Sequence, residues 1–185
     1  MKNKWEILLG GSGGQGIIVA GMLLGESAAV YDGRHTLQTQ AYGIAARGGY
    51  CKAEVIISNE EIANPTIGVP DIALALTREA YDLCQNVSPE TLLIFDTAEV
   101  TGGLTPAREI GVPLTEMARE LGGVKATNIV ALGVIVGLTG LVSPAAVQEL
   151  IRERYPKDDL NYRAFTAGVE YAEKNLKGGN NLAQA

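Results

Sequence analysis

Gly11-Ser12-Gly13-Gly14-Gln15-Gly16 fits G-x-G-x-x-G, directly after the apolar run Trp5–Leu9 and directly before the apolar stretch Ile17–Val30. Glycines between a strand and a helix remove side chains from the turn, so that backbone N–H groups at the helix N-terminus can meet an anion. A second reading stands beside this one, in which the glycines only permit a tight turn and close helix–strand packing. Tyr42-Gly43-Ile44-Ala45-Ala46-Arg47-Gly48-Gly49 sets one arginine beside two glycines in a link between two strands. A guanidinium there can clamp a carboxylate or phosphate through two parallel hydrogen bonds. Equally, Gly48-Gly49 can serve a hairpin turn with Arg47 solvated or paired to a neighbouring acid.

Other chemistry is sparse. His35 is the single histidine and lies at a strand entrance, where a structural or solvated role fits, and the serines and threonines lack a nucleophile-elbow pattern. Glu60, Glu61 and Asp71 fall at loop and strand edges and receive no catalytic role. Cys51 and Cys84 are too far apart for a C-x-x-C and too few for a cysteine-ligated metal or iron–sulfur cluster. The sequence therefore assigns no catalytic residue and no metal ligand. A nicotinamide site requires an Asp or Glu at the end of the second strand, but that strand ends Gln38-Thr39-Gln40-Ala41. No Lys-Ser or Lys-Thr closes the glycine run, so it is not a P-loop.

The elements that must hold these loops follow from periodicity. Trp5–Leu9, Thr36–Ala41, Cys51–Ser58, Asp71–Leu76 and Thr91–Phe95 read as strands, with a weaker one at Glu109–Val112. The link 42–50 is too short for a helical crossover, so its two strands, if adjacent, are antiparallel and the sheet is mixed. Helices are expected at Ile17–Val30, Arg78–Gln85, Leu114–Leu121, Thr127–Leu138, from Pro144 behind Ser143, and at Asp158–Leu176. The whole predicts an α/β chain, a three-layer α/β/α Rossmann-like domain over residues 1–176 with a mixed, mostly parallel sheet, and a fraying tail at 177–185.

With 185 residues, 46% of them hydrophobic and 5% aromatic, the core must be built from Ala, Val, Ile and Leu. A net charge of -6 without any basic run argues against nucleic acid as a partner. The N-terminus shows no signal-peptide pattern and no stretch is long and apolar enough to span a membrane, which predicts a cytoplasmic protein.

Taken in order, Gly11-Ser12-Gly13-Gly14-Gln15-Gly16-Ile17-Ile18, Gln40-Ala41-Tyr42-Gly43, Ala46-Arg47-Gly48-Gly49, Ile57–Ile62, Pro65, Pro70-Asp71 and Asn128–Gly133 resemble the gamma subunit of 2-oxoacid:ferredoxin oxidoreductases. The likeness runs to about Gly140 and is nearest to members acting on 2-oxoglutarate, then pyruvate and branched-chain oxoacids. It implies oxidative decarboxylation of a 2-oxoacid to its acyl-coenzyme A, with thiamine diphosphate doing the carbon chemistry and iron–sulfur clusters passing electrons to ferredoxin. Thiamine diphosphate and the clusters would lie in partner subunits (alpha, beta and a ferredoxin-like delta), leaving this chain inactive alone. It further implies that Gly11, Ser12, Gly13, Gly14, Gln15 and Gly16, with Tyr42, Arg47, Gly48 and Gly49, face those subunits and receive coenzyme A. The competing readings are a stand-alone Rossmann-type nucleotide-binding enzyme and a non-catalytic scaffolding subunit with a purely structural glycine turn.

Overall fold

The computed structural model describes residues 2–43 and 48–176. Six strands, β1 (Lys4–Ser12), β2 (His35–Tyr42), β3 (Tyr50–Ser58), β4 (Ile72–Ala75), β5 (Leu92–Asp96) and β6 (Arg108–Val112), form one sheet in the order β2-β3-β1-β4-β5-β6. β1 to β6 run parallel through β4 and β5, whereas β3 is antiparallel to both β1 and β2. Five strands thus share one direction and β3 alone opposes them. The short link after β2 dictates this, since a chain returning without a crossover can only reverse.

The helices are α1 (Ile17–Val30), α2 (Arg78–Asp82), α3 (Leu114–Glu120), α4 (Thr127–Thr139), α5 (Pro144–Arg154) and α6 (Leu160–Tyr171). Ile7, Leu9, Val55, Ile57, Ile72, Leu74 and Ile94 turn one face of the sheet to α1, α3, α4, α5 and α6, forming the main core. On the other face Ala73, Ala75, Leu93 and Phe95 pack on α2 through Ala80, Tyr81 and Cys84. The third layer is therefore thin, one short helix and the loop after β5, which Glu109 ties down. Its carboxylate accepts from the Tyr81 hydroxyl (2.6 Å), from the Thr105 hydroxyl (2.6 Å) and N–H (3.0 Å), and from the Gly103 N–H.

α4 is apolar all round because it is enclosed all round, buried from Thr127 through Gly137. Its approach to α6 is unusually close: a Cβ on Gly133 would lie 2.2 Å from the Phe165 carbonyl oxygen, and one on Gly168 2.2 Å from that of Val130. The two backbones touch, and only glycine permits it.

Several boundaries depart from sequence expectation. β1 runs three residues beyond Leu9, because Gly10, Gly11 and Ser12 still pair with Lys52, Cys51 and Tyr50. The helix after β4 stops at Asp82 rather than Gln85, and α6 ends at Tyr171, followed by one wider turn at Ala172–Leu176. The tail 177–185 lies outside the described residues.

Candidate functional site

The strand extension brings Ser12 to the carboxyl edge of the sheet, where β1 gives way to α1. The Ser12 N–H donates to Gln15 Oε1 (2.8 Å) and the Gln15 N–H returns to the Ser12 carbonyl (3.1 Å), closing the turn on itself. A Cβ on Gly11 would lie 2.6 Å from Gln15 Oε1, so Gly11 makes room for that clasp. Gly14 (φ 100°) and Gly16 (φ 72°) take left-handed backbone that L side chains rarely adopt. Their surroundings differ. Among the described residues a Cβ on Gly14 meets nothing within 4 Å, whereas one on Gly16 would lie 2.4 Å from Asn128 Nδ2.

That asymmetry divides the turn into a wall and an opening. The wall is Asn128, in the first turn of α4, whose Nδ2 donates to the Gly16 carbonyl (2.9 Å). Asn128 is 4% exposed, and its Oδ1 is buried without a hydrogen-bond partner among the described residues. The buried first turn of α4 therefore meets the start of α1 at Gly16, and it is the first turn of α1 that leaves backbone N–H groups without intrahelical partners. The opening is Gly13 and Gly14, both exposed. The contact to Asn128 spans 112 residues, and reading local motifs does not show it.

The second loop meets the first. The Gly13 N–H donates to the Gly49 carbonyl (2.8 Å), and the Gly43 N–H to that of Tyr50 (2.6 Å), so Gly13, Gly43 and Gly49 lie in one hydrogen-bonded patch. Gly48 takes φ 71°, as a turn glycine must, and Tyr42 is 65% exposed beside it. Tyr50 packs under the patch, its phenol pushed up to about 12 by burial, so it stays neutral. Arg47 lies outside the described residues. Of the described cations, Lys125 is exposed one turn ahead of Asn128, and Arg78 opens α2 two residues after Leu76, whose N–H donates to the Gly10 carbonyl (3.0 Å).

The turn also occupies the topological switch of the sheet. α1 leaves β1 toward the main core, while α2 leaves the adjacent parallel strand β4 toward the opposite face, which is the arrangement of a switch point. The strand beside β1 on its other side is the reversed β3, so no strand end there can present a ribose-binding carboxylate.

Other candidate groups lie elsewhere. His35 pairs in register with Ser58, which pairs with Lys4, placing it a strand's length, roughly 26 Å, from Ser12. Asp71 is also at that far edge, accepting from the Glu6 N–H (2.9 Å) and paired with Lys2. Asp96, fully buried at the end of β5, accepts from the Thr115 hydroxyl (2.5 Å) and N–H (3.2 Å) and from the Ala98 N–H (3.2 Å). It supplies the cap that Pro113 cannot give α3. Burial pushes the Cys84 thiol up to about 11 and raises that of Cys51, so both stay protonated. Among its described residues the patch offers backbone N–H groups and neutral hydroxyls, with no carboxylate, imidazole or ionised thiol.

The pyruvate ferredoxin/flavodoxin oxidoreductase family profile matches residues 6–171. The 2-oxoglutarate synthase subunit KorC of Methanocaldococcus jannaschii is 38% identical over 94% of this chain and 97% of its own. The crystal structure of the keto/oxoacid ferredoxin oxidoreductase gamma subunit from Geobacter sulfurreducens superposes with a TM-score of 0.79 at 38% identity, covering 91% of this chain and 98% of that one. The 2-oxoglutarate:ferredoxin oxidoreductase of Magnetococcus marinus, whose structure holds 2-oxoglutarate, coenzyme A and succinyl-CoA, has the same fold within a longer chain (TM-score 0.84, 23% identity, 94% of this chain and 32% of that one). With a matching profile over most of its length and single-chain relatives of its own size, the chain belongs to the pyruvate ferredoxin/flavodoxin oxidoreductase family, as a gamma-type subunit of a 2-oxoacid:ferredoxin oxidoreductase.

Proposed function

We propose that this gamma-type subunit receives coenzyme A in a complex that oxidises 2-oxoglutarate, with Gly11–Gly16 cradling a phosphate group. The observation that carries the reading is the open side of the turn: among the described residues nothing lies within 4 Å of a Cβ on Gly14, which immediately precedes the N-terminus of α1. Phosphate oxygens there would accept from N–H groups of the turn and of the first turn of α1. Lys125 and Arg78 would add positive charge, and Tyr42 with the Gly48-Gly49 loop would bound the adenine side. The same loop carries Arg47, assigned here as a further phosphate contact.

The lack of any acid–base or nucleophilic set among the described residues of the patch supports a division of labour. Thiamine diphosphate, which supplies the carbon chemistry, and the iron–sulfur clusters would sit in alpha, beta and delta partners, with ferredoxin as the cytoplasmic acceptor. This chain, as one gamma-type domain over residues 1–176, would present the thiol acceptor to the acyl group. The 38% identity to a 2-oxoglutarate synthase subunit favours 2-oxoglutarate over pyruvate or branched-chain oxoacids as substrate.

The test is anaerobic isolation of the tagged chain from its own cell, followed by assay of oxoacid-dependent, coenzyme A-dependent reduction of ferredoxin or a viologen dye. Larger partner chains and highest kcat/KM with 2-oxoglutarate are the expected result. A lone chain that binds NAD, or a complex preferring another oxoacid, overturns the reading or its substrate.

A further inference from the structure

β2 is an open edge of the sheet, eight residues long, with no partner on its outer side among the described residues. Natural edges are blunted by lysine, proline, bulges or shortness. The opposite edge, β6, is blunted by its shortness, five residues opening with the exposed Arg108. His35-Thr36-Leu37-Gln38-Thr39-Gln40-Ala41-Tyr42 carries neither proline nor a lysine, and its middle is uncharged. What fits such a row of outward N–H and C=O groups is another strand.

The helix above this edge is also unguarded. α1 rides over the boundary between β2 and β3: a Cβ on Gly21 would touch both Gln38 (3.1 Å) and Val55 (3.2 Å), and one on Gly25 both Thr36 and Val55 (3.8 Å). On the side toward the β2 edge, Ile18, Met22, Gly25 and Ala29 recur at i, i+4, i+7 and i+11, a single stripe along the helix. Met22 is 43% exposed, and Ala29 and Val30 are exposed beyond it. The one charge nearby, Glu26, turns instead to Arg154 of α5 (2.5 Å).

We infer that two copies of this chain pair through β2, edge to edge and antiparallel about a two-fold axis normal to the sheet, with α1 packed against its copy. The spacing selects this occupant. That axis keeps both helical layers on one face, and each α1 lies half a strand spacing inside its β2. Two strand spacings, about 10 Å, then separate the helix axes, which is the distance at which helices pack. Near a two-fold axis each residue meets its own copy, so any charge would face a like charge. The middle of β2 and the α1 stripe carry none. The pairing involves no residue of Gly11–Gly16, and neither Met22 nor Gln40 belongs to the proposed ligand site.

Analytical ultracentrifugation of the purified full chain across a dilution series tests it. The wild type should sediment at twice the 19.5 kDa chain mass, and Met22→Glu or Gln40→Lys at half that value with an unchanged melting curve by circular dichroism. Because Cys51 and Cys84 are buried, Met22→Cys provides the accessible thiol, and mild oxidation should give a covalent pair of this chain, both alone and in the assembled complex. A wild type that stays monomeric, a dimer that survives both charged variants, or a Met22→Cys variant that crosslinks to a different subunit overturns the proposal.

Discussion

Gly14→Ala separates a ligand role for the turn from a packing role. At φ 100° the substitution places an L residue in left-handed backbone, which costs about 1–2 kcal/mol. Among the described residues it meets no atom within 4 Å, so none of them adds a steric term. For a chain of this size that cost lowers Tm by about 2–8 °C. Gly103 is the matched control: its φ is 87°, its Cβ also meets nothing within 4 Å, and it lies in the loop between β5 and β6. Gly103→Ala should lose comparable stability. In the purified complex the two should part company. A methyl group at Gly14 occupies the opening where a phosphate would sit, and losing one charge-assisted hydrogen bond is worth about 1.5–3 kcal/mol, or about 10- to 150-fold in KM for coenzyme A. KM for the oxoacid should not move with it. If both variants shift the coenzyme A KM equally, or neither does, the glycines serve the turn alone and the binding assignment is wrong.

Gly133→Ala should destabilise the chain by about 3 kcal/mol, since its Cβ would fall 2.2 Å from a carbonyl oxygen of α6, and a thermal melt reads the loss directly. For Glu109, burial alone would raise the pKa, but hydrogen bonds from Thr105, Tyr81 and the Gly103 N–H outweigh it and hold the carboxyl below its ordinary value. A depressed folded pKa contributes stability that is present above the unfolded value, about 4.3, and is lost as pH falls through the folded one. Glu109→Gln should therefore melt below wild type at neutral pH, by about 1–2 kcal/mol, and the two curves should converge on acidification below pH of about 4. With both thiols buried and raised, alkylation at neutral pH should leave Cys51 and Cys84 unmodified in the native chain and modify both in denaturant, followed by mass spectrometry. Labelling at native-state rates typical of exposed thiols would refute their placement.

The strands and helices were legible because each carries its own period: Val55 and Ile57 point to the core while Lys52 and Glu54 do not, and Thr127–Gly137 is apolar on every side because it is enclosed on every side. The glycine turn was legible for the same local reason. Unreadable were the features made by distant partners: Asn128 filling the space behind Gly16, Glu109 holding the loop over Tyr81, and the Gly133–Gly168 contact between helices. Least legible was the position of β3. The short link after β2 predicts that the pair is antiparallel, but nothing local says that β3 inserts between β2 and β1. That insertion has two consequences for function. It sets a reversed strand where a dinucleotide fold presents its ribose-binding acid, which removes the nicotinamide signature from the neighbourhood of the turn. It also pushes β2 to the rim of the sheet, carrying the outer stripe of α1 with it. One topological choice therefore accounts both for a glycine turn with no ribose-binding acid on the neighbouring strand and for an open β2 edge.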